Sequence, residues 1–63
     1  MSATTILLEV RKLYGVSDRL DALADQHPAV TEGLLGISGN IRNSASLLEV
    51  LVATKIAPLS GLQ

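Results

Sequence analysis

Few side chains in this sequence could do chemistry. His27 is the single histidine, the one side chain whose ordinary pKa lies near neutrality. Acid–base work would need a positioned nucleophile or carboxylate beside it, and Asp25 and Glu32 are near in sequence. His27 precedes Pro28, however, and a residue before proline is held out of the helical region. It reads as an exposed turn or cap residue. Asp18, Asp21 and Asp25 offer three carboxylates, but their spacing matches no calcium loop, and a solvated helix face accounts for them. Asn40, Arg42 and Asn43 form the one dense polar cluster inside an apolar stretch. A buried Asn40 would fix helix register. Asn40 with Ser44 could instead line a small-molecule pocket in a bundle core, while Arg42 reads as solvated. Tyr14 is the only aromatic residue. Stacking of single-stranded nucleic acid uses several, so Tyr14 reads as packing at an interface edge with its hydroxyl in water.

The composition narrows the classes further. Sixty-three residues allow one domain. Chains this short are marginal unless a disulfide, a metal or a partner copy supports them. With no cysteine and one histidine, oligomerisation is the support that remains. No metal site and no cofactor is expected, and so few catalytic side chains argue against an enzyme. Five basic and six acidic residues give a net charge of −1. The cations Arg11, Lys12, Arg19, Arg42 and Lys55 are scattered, whereas binding phosphates needs a clustered basic face. Nucleic acid is therefore disfavoured as a partner, though a symmetric dimer could gather Arg11, Lys12 and Arg19 from two chains. The longest uncharged run, GLLGISGNI from Gly33 to Ile41, is far short of the roughly 20 residues a bilayer needs. The first residues lack the basic start of a signal peptide. No membrane and a cytoplasmic location are the expectations.

The elements that position these residues are helices. Ser2 to Thr5 can cap a helix start. Ile6, Val10, Leu13, Val16, Leu20 and Leu23 then follow at steps of three and four, which is a helical stripe. The spacing predicts a helix over about 4–25, roughly 33 Å long. Gly15 inside it costs about 1 kcal/mol relative to alanine. Gln26-His27-Pro28 makes a turn. A second stripe, Val30, Leu34, Ile37, Ile41, Ala45, Leu48, Val52 and Ile56, predicts a helix over about 29–57. Its weak stretch is Gly36 to Ser46, rich in residues that prefer turns, and Ser46-Leu47-Leu48-Glu49 matches a capping box. The phase of the stripe favours one continuous helix. The alternative is a three-helix bundle with a break near residues 40–44. Residues 1–57 form one helical domain in this reading, with 58–63 as a tail after Pro58.

Folding the hairpin at His27 sets Leu23 against Val30, Leu20 against Leu34, Val16 against Ile37 and Leu13 against Ile41. Val10 then meets Ala45 and Ile6 meets Leu48. This seam leaves Leu7, Leu8, Tyr14, Leu35, Leu47, Val50 and Leu51 unaccounted for. A buried leucine contributes about 2 kcal/mol, and large exposed apolar patches invite association. These seven residues are the expected oligomer interface. All-α hairpins dimerising into a four-helix bundle are the architecture this implies. Gly33, Gly36, Gly39 and Asn40 are the expected close helix contact and register residues, since small side chains let helices approach. The function expected is that of a homodimeric or homotetrameric structural or protein-interaction protein, with another protein as a possible further partner. The alternatives are a small-ligand-binding bundle and a DNA-binding regulatory dimer.

Overall fold

Ser2 starts the first helix: its Oγ accepts from the Thr5 N–H at 3.2 Å, satisfying one of the donors that every helix start leaves free. Helix α1 runs Ala3–Gln26, one residue beyond each expected end, and passes through Gly15. His27 follows with φ −132° and ψ 78°, the extended conformation that Pro28 imposes. Pro28–Val30 make one 3₁₀ turn. Helix α2 spans Thr31–Leu51, and Val52–Ile56 continue it as a π-helical turn. The computed structural model describes residues 2–56. Ala57 and the expected tail, 58–63, lie outside the described residues.

α2 is continuous through residues 40–44, which excludes the three-helix alternative. Local propensity is weak there, but helices in proteins are held mainly by tertiary contacts. Ser38 bonds to Ser17, and Arg42 to Asp18 and Asp21, across this stretch. The capping box at Ser46–Glu49 is not used as a start. Both of its polar side chains bond to Tyr14 instead. At the turn, the Thr31 hydroxyl donates to the Ala24 carbonyl at 2.6 Å. This satisfies an acceptor that the end of α1 would leave free and ties the two helices together.

The seam between the helices is made of small residues. The buried positions are Val10, Ser17 and Ala24 on α1, and Ser38, Ala45 and Val52 beyond them. Each set repeats every seven residues, the spacing of a coiled-coil seam. Ser17 and Ser38 are both 0% exposed. Ser38 Oγ donates to the Ser17 carbonyl at 2.9 Å. Ser38 Oγ is then the acceptor for the Ser17 hydroxyl at 2.6 Å, with the Ser38 carbonyl 3.2 Å from the same donor. Side chains that reach the opposing backbone require close helix approach, which small residues at the seam permit. No buried side-chain polar atom among the described residues lacks a partner.

This seam differs from the expected one. Of the twelve residues paired above, only Val10 and Ala45 are buried; Leu23, Val30 and Ile37 are exposed at 42%, 52% and 53%. The expected pairing followed the centre of the hydrophobic stripe. The helices instead meet along its edge, where side chains are small enough for backbones to approach and two hydroxyls can satisfy each other.

The serine pair makes a double-mutant cycle informative. Ser38→Ala should cost about 1–2 kcal/mol, because the Ser17 hydroxyl loses its nearest partner in a dry seam. The Ser17→Ala and Ser38→Ala costs should sum to more than the cost of the double variant by at least about 0.5 kcal/mol. Urea unfolding followed by circular dichroism measures all three; strictly additive losses would disprove the coupling.

Candidate functional site: an unpartnered apolar face

The two sides of the seam carry opposite chemistry. Counting from the seam residues, positions one and four further along share one side of each helix, and positions three further and one before share the other. Cross-helix bonds mark the first side on both helices. Tyr14 donates to Glu49 Oε1 at 2.6 Å, so the Ser46 hydroxyl, 3.1 Å away, donates to Tyr14. Arg42 bridges Asp18 and Asp21 at 2.6 Å and 2.9 Å. Arg42 is therefore engaged rather than solvated, and the Tyr14 hydroxyl bonds to protein groups. These bonds lean toward each helix's N-terminus, as helical side chains do.

The Asp21 carboxyl lies below the ordinary value of 3.8, held there by the Ser38 hydroxyl first and by the Arg42 guanidinium next. The Ser38 hydroxyl spends its proton on Ser17, so the 2.9 Å contact with Arg42 is the one the geometry supports directly. Arg42 is raised in turn, first by its hydrogen bond to Asp21.

The second side is apolar over most of its length, up to Lys55, which follows three residues beyond Val52. Its positions are Ile6, Glu9, Leu13, Val16, Leu20 and Leu23 on α1, then Val30, Leu34, Ile37, Ile41, Ser44, Leu48 and Leu51. Eleven of these thirteen are isoleucine, leucine or valine, and none of the thirteen is buried. Glu9 and Ser44 are the exceptions, and Glu9 pairs with Lys12 at 2.8 Å. The stripes that sequence periodicity identifies thus form one continuous surface of the hairpin.

The residues expected at an oligomer interface are distributed around the hairpin. Leu51 belongs to the apolar face, and Leu47 borders it. Val50 lies on the outer side of α2, and Leu8 points away from α2. Leu7, Tyr14 and Leu35 lie on the polar side. Gly33, Gly36 and Gly39 make no close contact within the hairpin, since a Cβ at any of them would meet nothing within 4 Å. Asn40 and Ser44 are exposed. A shallow groove of about 430 Å³ lies at the other end, between Leu7, Leu8, Arg11, Tyr14 and Glu49. His27 and Asp25 are exposed at the turn. Arg11 is on the polar side, whereas Lys12 and Arg19 lie on the outer edge of the apolar face. No group of three or more potential metal ligands occurs among the described residues, and no helix there is long and apolar enough to cross a membrane. Sequence reasoning passed over Ser17, Ser38 and Thr31. Their seven-residue spacing with Ala24, Ala45 and Val52 was the available signal.

No protein-family model matches the chain, and neither does any curated protein or solved structure.

Two outcomes follow from these contacts. A carboxyl whose folded pKa is depressed contributes stability that is fully present above its unfolded pKa and lost as pH falls through the folded one. The melting temperature should therefore fall on acidification below about pH 4, and Asp21→Asn should flatten part of that fall. A pH titration of thermal unfolding tests this; an unchanged slope in Asp21→Asn would count against it. Gly36, on the outer side of α2 with open space around it, should accept alanine. Gly36→Ala should stabilise by about 1 kcal/mol, measured by urea unfolding; a loss would show that something packs against this position.

Proposed function

We propose that this hairpin is half of a symmetric four-helix bundle, and that the protein serves as a cytoplasmic homo-oligomeric structural or protein-interaction subunit. One observation carries the reading: eleven aliphatic side chains share one side of the hairpin, and none is buried. A second copy offers the same surface, and two-fold pairing is the commonest way for identical chains to cover it. The area agrees in scale. The chain exposes 4641 Å². A compact monomer of 6.6 kDa exposes about 3,900 Å². The excess, roughly 700 Å², is surface that an elongated helix pair leaves open, and a standard interface covers about 800 Å² on each partner. The polar side gives a second copy no comparable reason to bind, because Tyr14, Ser46, Glu49, Arg42, Asp18 and Asp21 are already bonded across the seam.

The test is solution mass by light scattering after size exclusion, over a hundredfold concentration range. A dimer or a higher oligomer is expected. Ile37→Glu, which puts a charge at an exposed point of the apolar face without disturbing the serine seam, should shift the mass to the monomer. Leu8→Glu, on the far side of α1, should leave it unchanged. A wild-type monomer throughout the range would overturn the reading.

A further inference from the structure

The apolar face carries enough detail to say how a second copy would lie on it. Take the Ser17–Ser38 contact as the level at which the helices meet. Val10 is then level with Ala45 and Ala24 with Thr31. On this scale Leu48 and Leu51 flank Ile6 near the open end of the hairpin. Glu9 and Ser44 come next, at nearly one level. Leu13, Val16 and Ile41 follow, then Leu20, Ile37 and Leu34, and last Leu23 with Val30 beside the turn. Between Leu51 and the turn the face is therefore a stack of apolar layers crossed by a single polar notch, Glu9 with Ser44, with Lys55 beyond it at the open end. That notch lies on the open-end side of the middle.

Two face-to-face arrangements have two-fold symmetry. With the turns at opposite ends and the midpoints level, each Glu9 comes to rest against the region of Leu20 of the other copy. Lys12 meets only one edge of that carboxylate, and pressing the rest of it against apolar side chains with no further donor is costly. Sliding the copies until the notches coincide removes that contact, but it leaves Leu20, Leu23, Val30, Leu34 and Ile37 uncovered. With the turns at the same end, the two-fold axis runs along the helices and every layer meets its own equivalent. α1 then lies over α2 of the second copy, apolar layers meet apolar layers, and the two notches form one polar layer.

We propose that two copies stack with their turns at the same end, and that Glu9 and Ser44 of both copies make the single polar layer of the bundle. The inference rests on the dimer reading above. In this layer the Ser44 hydroxyl of one copy is a donor for the Glu9 carboxylate of the other, while Lys12 stays on the same carboxylate at the outer edge, where it already is. A polar layer inside an apolar interface selects one orientation, because any other leaves its groups unpaired.

Spin labels test the arrangement on the full chain, which has no native cysteine to interfere. Ala29, exposed at the turn, is replaced by cysteine and labelled, and label separation is read by double electron–electron resonance on a sample whose mass is measured in parallel. Turns at the same end predict a separation of a few helix spacings, about 10–25 Å. Turns at opposite ends predict roughly a helix length, about 36 Å or more. A dimer with the long distance overturns the orientation and leaves the dimer standing. A monomeric mass overturns the dimer reading itself. As a second measurement, Ser44→Ala should raise the dimer dissociation constant several-fold with no change in the unfolding of the Ile37→Glu monomer background; an unchanged dissociation constant would remove Ser44 from the layer.

Discussion

Two serine side chains without exposure, Ser17 and Ser38, hold the helices at a separation that only small side chains permit. The rest of the hairpin follows from that separation. Ala24, Ala45, Val10 and Val52 continue the same line at seven-residue intervals, and Thr31 closes it at the turn through its bond to Ala24. Where backbones come this close, leucine and isoleucine cannot lie between them. The large residues are displaced to the flanks, and the amino-acid order then decides which flank receives them.

The displacement sorts the surface. On one flank, Leu7 and Leu35 apart, most side chains are charged or hydroxylated, and Tyr14, Arg42, Glu49, Asp18 and Asp21 bond across the helices. Such partly exposed contacts contribute modestly to stability, but they leave that flank with few unmet polar groups. On the other flank the aliphatic residues are half-buried at best. Among the described residues no third element covers them. The hairpin thus resembles a layer of a larger core. The notch made by Glu9 and Ser44 gives that layer a direction.

Much of this was legible in the residues. Helix content, the hairpin turn at His27-Pro28 and a helix start within Ser2 to Thr5 follow from spacing, capping and the effect of proline, which are local properties of the chain; the phase of the stripe favoured a continuous α2, whose weak stretch is held by contacts to α1. The surplus of apolar surface was also legible, because it depends on counting aliphatic positions against what one helix pair can enclose. Which leucines form the surplus was not. The reading from Leu7, Leu8, Tyr14 and Leu35 assumed that the centre of each stripe faces the other helix.

That assumption is where local and tertiary information part. Periodicity defines a direction on each helix, and hydrophobicity says that this direction avoids water. Neither says whether it turns toward the partner helix of the same chain or toward something outside it. The sequence by itself determined two amphipathic helices, their ends and the turn between them, since each depends on neighbours within a few residues. Only the tertiary structure decided the rotation of each helix about its axis. Rotation depends on how closely two backbones can approach, on two hydroxyls satisfying each other, and on Arg42 reaching two carboxylates on the other helix. These are contacts between residues more than twenty positions apart, and no local pattern records them.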